Sequence, residues 1–104
     1  TLRWVAAEAA EAEYQTLAHF RLAGLLFEAK KYDEAMKELD LADAKGFEPL
    51  IADRRGDIYV AQNKLDDAKA AYQQAWKGLD SKLAYRRIVE AKLMALGATP
   101  EAAK

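Results

Sequence analysis

Cysteine is absent from this 104-residue chain, so it holds no disulfide and no thiolate metal site, and its compartment cannot be read from redox chemistry. Histidine occurs once, at His19. A metal site needs several ligands and acid–base catalysis a partnered base, so His19 reads as a packing or surface residue. Five glycines and two prolines are too few for a loop-rich fold. Valine and isoleucine together number six, which makes a sheet a poor expectation. No apolar run approaches the ~20 residues of a membrane span, and no signal peptide is visible. An excess of one charge is also missing, with 16 basic and 17 acidic residues and a net charge of −1. That balance argues against nucleic-acid binding, which needs a cationic surface, and Arg54-Arg55 and Arg86-Arg87 read as parts of mixed-charge helix faces. No phosphate loop, nucleophile motif or metal spacing is present, so neither a cofactor nor a catalytic role is expected.

What the chain has in quantity is alanine (23 residues) and leucine (13). Both rank high for helix formation, so the expected class is all-α. Turn residues divide the sequence into helices. A first is predicted over residues 2–10 and a second over about 13–30. A third starts at the N-cap candidate Asp33 and runs to about Lys45, where Gly46 can take the left-handed conformation. Pro49 suits the first turn of a fourth, which runs to about Gln62. After a turn at Asn63, a fifth opens at Leu65 or Asp66 and ends near Gly78. A sixth is capped by Asp80 or Ser81 and ends at Leu96-Gly97.

Two stretches repeat one physical pattern. "FRLAGLLFEAKKYDEAMKELDLA" at 20–42 is echoed 33 residues later by "DRRGDIYVAQNKLDDAKAAYQQA" at 53–75. Gly56, Tyr59, Ala68, Tyr72 and Ala75 of the second fall on Ala23, Leu26, Ala35, Leu39 and Ala42 of the first. Small residues stand where paired helices must cross closely, and large ones fill the space beside the crossing. A period near 33 with that alternation is the tetratricopeptide pattern, here one residue shorter than the usual 34. Lys30 and Asn63 replace its internal-turn glycine, and Asp80 its late proline. The expected fold is therefore a tetratricopeptide-like α-α superhelix of helical hairpin repeats with a C-terminal capping helix. The expected domain covers 1–97. Residues 1–12 close a truncated preceding repeat, 13–46 and 47–79 form two repeats, 80–97 form the cap, and 98–104 are a tail. On the cap, Leu83, Ile88 or Arg87, and Leu93 are expected to face inward. Trp4 and Trp76 are expected to pack.

Arg21-Leu22-Ala23, the turn Tyr32-Asp33-Glu34-Ala35, Leu39-Asp40, Arg55-Gly56-Asp57 and Ala68, Ala71 and Tyr72, together with Lys92-Leu93, resemble the periplasmic domain of the YfgM family. These are ancillary subunits of the bacterial SecYEG translocon. The resemblance runs from about Leu17 to Leu96. It implies a single-pass inner-membrane protein with a periplasmic repeat domain. It also implies partners in the translocon and in periplasmic chaperones or clients. The membrane would be reached only through an N-terminal anchor, which these 104 residues lack. The chain starts at Thr1 within a helical pattern, as a piece of a longer protein would.

A surface is then the functional candidate. If the first helix of each pair lines a concave side, its outward residues are Leu17, Phe20, Arg21, Gly24, Phe27 and Glu28 in the first unit. In the second they are Leu50, Asp53, Arg54, Asp57, Val60 and Ala61. Some tetratricopeptide domains clamp a C-terminal carboxylate with Lys and Asn on that side, whereas Phe20, Gly24, Asp53 and Asp57 would not. Phe20 and Phe27 are read either as groove aromatics or as core. An apolar stripe with mixed charge around it fits an extended polypeptide guest. The alternative is a purely structural role as an assembly or dimerisation module.

Overall fold

A computed structural model describes residues 2–43, 45–80 and 82–100, with side chains from residue 7 onward. The readings of Trp4 and Ser81 lie outside those limits. Among the described residues five α-helices follow one another: α1 Leu2–Glu28, α2 Tyr32–Leu41, α3 Glu48–Ala61, α4 Leu65–Gly78 and α5 Ala84–Ala95. No strand occurs among the described residues. The chain divides into two compact units, Thr1–Phe47 and Glu48–Lys104.

The first unit is a hairpin of α1 on α2. α1 departs from expectation, because it runs unbroken through the residues where two helices were predicted. The intervening Ala-Ala-Glu-Ala-Glu consists of strong helix formers with no glycine, proline or capping residue, so nothing stops the helix. α2 starts at Tyr32 with Lys31 as its N-cap and no side-chain cap, so Asp33 sits inside the first turn. There its charge still complements the helix dipole. α2 ends at Leu41, short of the expected Lys45, as Ala42 leaves helical geometry. Thr16, Ala23, Ala35, Leu39 and Ala42 are buried between the two helices' facing sides. Ala23 and Ala35 are both fully buried, as their matching small sizes required.

The second unit pairs α3 with α4 and adds α5 against α4. Its core gathers Ala52, Ala68, Tyr72, Ala75, Val89 and Leu93, with Tyr59, Trp76, Leu79, Tyr85 and Leu96 packed around them. The inward face of α5 is Val89 and Leu93, whereas Leu83 and Ile88 are exposed. The helix begins later than expected, at Ala84, which leaves Leu83 as its extended N-cap. Val89 and Leu93, four apart, then form the buried stripe of α5 in that core.

The repeat is written in the backbone as well as in the side chains. Lys30 and Asn63, 33 residues apart, are the only described non-glycine residues with positive φ, at 63° and 61°. After α1, the N–H of Lys31 bonds the carbonyl of Leu26 at 2.8 Å and that of Lys30 bonds Phe27 at 3.0 Å. After α3, Lys64 bonds Tyr59 at 2.8 Å and Asn63 bonds Val60 at 2.9 Å. Both are the left-handed closing turn that satisfies orphan helix carbonyls. Gly97 closes α5 in the same way with φ 79°, its own N–H on Met94 and that of Ala98 on Leu93. Lysine lacks the short polar side chain that eases this conformation for asparagine. Lys30→Gly should therefore stabilise the chain by about 1 kcal/mol, and Asn63→Gly by less. Urea denaturation of both variants checks the order.

Candidate functional site

The expected concave-face residues take up different environments. In the first unit Leu17, Arg21 and Glu28 are exposed on α1. Phe20, Gly24 and Phe27 are half-buried. The Phe27 ring meets that of Tyr32 with centroids 5.9 Å apart, so the start of α2 covers part of it. The core-or-groove alternative for these aromatics resolves into neither extreme: each keeps an exposed part.

In the second unit Leu50, Arg54 and Asp57 are half-buried, and Val60 is exposed. Asp53 is the clear departure, because its residue is only 4% exposed. The expectation that Asp53 and Asp57 present free acids to a guest is corrected by α5. Lys92 Nζ donates to Asp53 at 3.0 and 3.2 Å and lies 3.1 Å from Asp57 Oδ1. The Tyr85 hydroxyl donates to Asp53 Oδ2, and the Tyr72 hydroxyl to Asp57 Oδ1 at 2.6 Å. Lys92 also stands 5.6 Å from the centroid of the Tyr72 ring, where the π face favours a cation. The basic group that these acids attract thus comes from the chain's own α5.

The network satisfies a charge that would otherwise be costly. An ionised carboxylate taken from water must be paired and hydrogen-bonded. Asp53 accepts from one ammonium and one phenol, which fills most of its acceptor capacity. Burial first, and then the hydrogen bond and charge of the adjacent carboxylate, push the Tyr72 and Tyr85 hydroxyls well above their ordinary value near 10. Both phenols therefore hold their protons in the folded chain beyond the pH at which they ionise when unfolded. The stabilisation is complete below about pH 10 and is lost as pH rises toward the folded values. Stability should fall by about 1.4 kcal/mol per pH unit for each tyrosine once pH passes 10. Tyr72→Phe and Tyr85→Phe should each flatten that slope, as read from denaturation midpoints between about pH 9 and 12.

His19 has a partner that sequence spacing concealed. Its Nδ1 donates to Glu38 Oε2 at 2.7 Å, tying α1 to α2. Trp76 packs as expected, beneath the Arg86 guanidinium at 3.7 Å, and Arg86 Nε donates to the Trp76 carbonyl at 3.0 Å. No group of three or more His, Cys, Asp or Glu suited to a metal ion occurs among the described residues. Nor is any described helix long and apolar enough to cross a membrane. What the arrangement offers is a set of helix faces, with the polar cluster of Asp53, Asp57, Tyr72, Tyr85 and Lys92 engaged internally.

Sequence reasoning also missed a second face of α1. Tyr14, Leu17, Ala18, Arg21, Leu22 and Leu25 enclose a shallow concavity of about 310 Å³. Their 3-and-4 spacing was legible, but an apolar stripe normally signals core, and the other side of α1 already supplied one.

A family model described as a tetratricopeptide repeat-like domain matches residues 1–98. The chain is 35% identical over 95 residues to an ancillary SecYEG translocon subunit of Neisseria gonorrhoeae (strain ATCC 700825 / FA 1090). That alignment covers 91% of this chain and 46% of the relative, so the chain spans about half the length of the curated relative it matches. No solved structure matches.

Proposed function

Because the chain belongs to the tetratricopeptide repeat-like family, and so is a non-catalytic protein-interaction module, we propose that it serves the SecYEG translocon as part of an ancillary subunit. The observation that carries this reading is the 35% identity to an ancillary translocon subunit across nearly the whole chain. In this reading the domain sits on the periplasmic side of the bacterial inner membrane. There it links translocating polypeptides to chaperones.

Each unit offers a surface of its own, mixed in character. On α1 the exposed edges of Phe20 and Phe27 adjoin Leu17, Arg21 and Glu28. On α3 Val60 is exposed, with Leu50 and Arg54 half-buried. Aromatic and arginine anchors carry most of the energy of such interfaces. Asp53 and Asp57, held by Lys92, do not take part. Mixed charge around apolar side chains suits loose selectivity for extended, partly apolar segments.

The test is titration of SecYEG in nanodiscs, and separately of an unfolded periplasmic client, with the labelled domain. The expected result is saturable binding that Phe27→Ala weakens by about 1 kcal/mol or more while thermal stability changes little. Lys69→Ala, on α4, should bind as the parent does. Absence of binding to either target contradicts the translocon reading. Unfolding of Phe27→Ala, with no loss of affinity in an Arg21→Ala variant, contradicts the placement of the surface.

A further inference from the structure

The solvent face of α5 is short of charge. Val89 and Leu93 are buried in the core of the second unit. At 100° per residue, Ala84, Arg87, Ile88, Ala91, Met94 and Ala95 fall within about 120° of arc, centred opposite that buried pair. All six are exposed, Ile88 by 54% and Met94 by 60%, and the exposed N-cap Leu83 precedes them. A solvent face ordinarily carries the charges of its helix. This one carries Arg87 alone. Cations gather around it instead. From Lys77 to Ala95 there are five against two acids, in a chain whose net charge is −1. Arg86 and Lys92 turn inward, to Trp76 and Asp53, while Lys77, Lys82 and Arg87 are exposed. Of the two acids, Asp80 accepts the Lys82 backbone N–H at 2.9 Å, and Glu90 is half-buried.

We propose that this face of α5 rests on an anionic lipid surface, with the helix lying in the plane of the headgroups. Charge decides the occupant. A membrane-surface helix turns its apolar side chains toward the acyl boundary and keeps cations at the edge. Lys77 and Lys82 supply that edge in the turn between α4 and α5. Arg87, on the face itself, would be a costly unpaired charge in a dry helix contact. Against lipid, its stem lies along the apolar surface and its guanidinium reaches the phosphates. The apolar stripe of α1 differs in this respect, because Glu11 and Glu28 stand at its ends and an anionic surface repels them. Within its own unit, α4 packs on the buried side of α5 and leaves the approach open. α5 is about 18 Å long, so it lies on the surface and does not cross it. Attachment is weak, half complete at roughly 0.1–1 mM accessible lipid, near the affinity of a single acyl anchor. This inference does not depend on the translocon reading.

Co-sedimentation of the chain with lipid vesicles tests it. The chain should bind vesicles of mixed phosphatidylglycerol and phosphatidylcholine at least about tenfold more tightly than vesicles of phosphatidylcholine alone. Rising salt should release it. Lys82→Glu with Arg87→Glu should weaken binding at least about tenfold. Lys37→Glu with Lys64→Glu makes the same change of charge at exposed residues elsewhere and should weaken it by no more than about twofold. Ile88→Ser should weaken binding about threefold or more, whereas Leu22→Ser, on α1, should leave it unchanged. Matched thermal melts confirm that the variants fold. Depth is read on the otherwise unaltered chain, which has no cysteine of its own. An environment-sensitive dye at Ala91→Cys should shift to the blue on the anionic vesicles, and the same dye at Ala18→Cys should not. No binding, or equal binding to both kinds of vesicle, overturns the proposal and gives the face to a protein partner. Equal loss from the two charge-reversed pairs, or no dye shift at Ala91→Cys, overturns the placement on α5. Release by inorganic phosphate at constant ionic strength overturns the lipid surface in favour of a single-anion site.

Discussion

Gly56→Ala should destabilise the chain by about 1–3 kcal/mol. The sign is what makes this informative. In an exposed helix interior the same change gains about 1 kcal/mol, because alanine is the better helix former. Here a Cβ on residue 56 would lie 2.8 Å from Cζ of Tyr72 and closer still to other atoms of that ring. The ring cannot swing aside freely. Tyr72 is 3% exposed, and its hydroxyl is bound to Asp57 at 2.6 Å. Overpacking therefore outweighs propensity. Urea denaturation measures the loss directly. Combining Gly56→Ala with Tyr72→Leu should cost less than the two separate losses together, because the smaller side chain removes the clash. A neutral or stabilising Gly56→Ala would contradict the close approach of α3 and α4 on which the hairpin rests.

The second large effect is expected at Lys92. Lys92→Met keeps the aliphatic stem over Tyr72 but leaves Asp53 buried without its cation. Breaking a fully buried pair on one side costs about 3–5 kcal/mol. Lys92 is 31% exposed, and Asp53 keeps Tyr85 as a donor, so about 1–3 kcal/mol is expected. Adding Asp53→Asn should recover part of the loss by removing the stranded charge. Thermal melts of the single and double variants at neutral pH give the comparison. If Lys92→Met costs no more than Lys82→Met, at an exposed residue ahead of α5, then the network contributes nothing to holding the cap.

Local chemistry in the sequence located most of the elements. The bounds of α4, the left-handed residues Asn63 and Gly46, the end of α5 at Leu96-Gly97, and the small–large echo between the two hairpins follow from residue type over a few positions. The misreadings have a different origin. Residues 9–13 carry no stop signal, so the predicted break in α1 had no turn residue behind it and the helix runs on. On α5, Ile88 and Val89 are equally apolar neighbours, and only the packing on α4 selects Val89. Asp53 read as outward because its ammonium partner lies 39 residues along the chain. No spacing rule connects two such positions; the packing of α5 does. The candidate face on α1 was legible in part. Leu17 and Arg21 are exposed as expected, while Tyr14, Leu22 and Leu25 beside them went unread because core and interface residues share one alphabet.

The reading of the domain as a translocon-side interaction module is tested most directly by photo-crosslinking in cells that contain SecYEG. A photoreactive amino acid is placed in turn at Leu17, Phe20 and Val60, and at Lys69 and Lys82 as controls. The predicted result is adducts to a translocon subunit or a translocating polypeptide from the first three positions and none from the controls. Adducts from no position, or equally from all five, would contradict it.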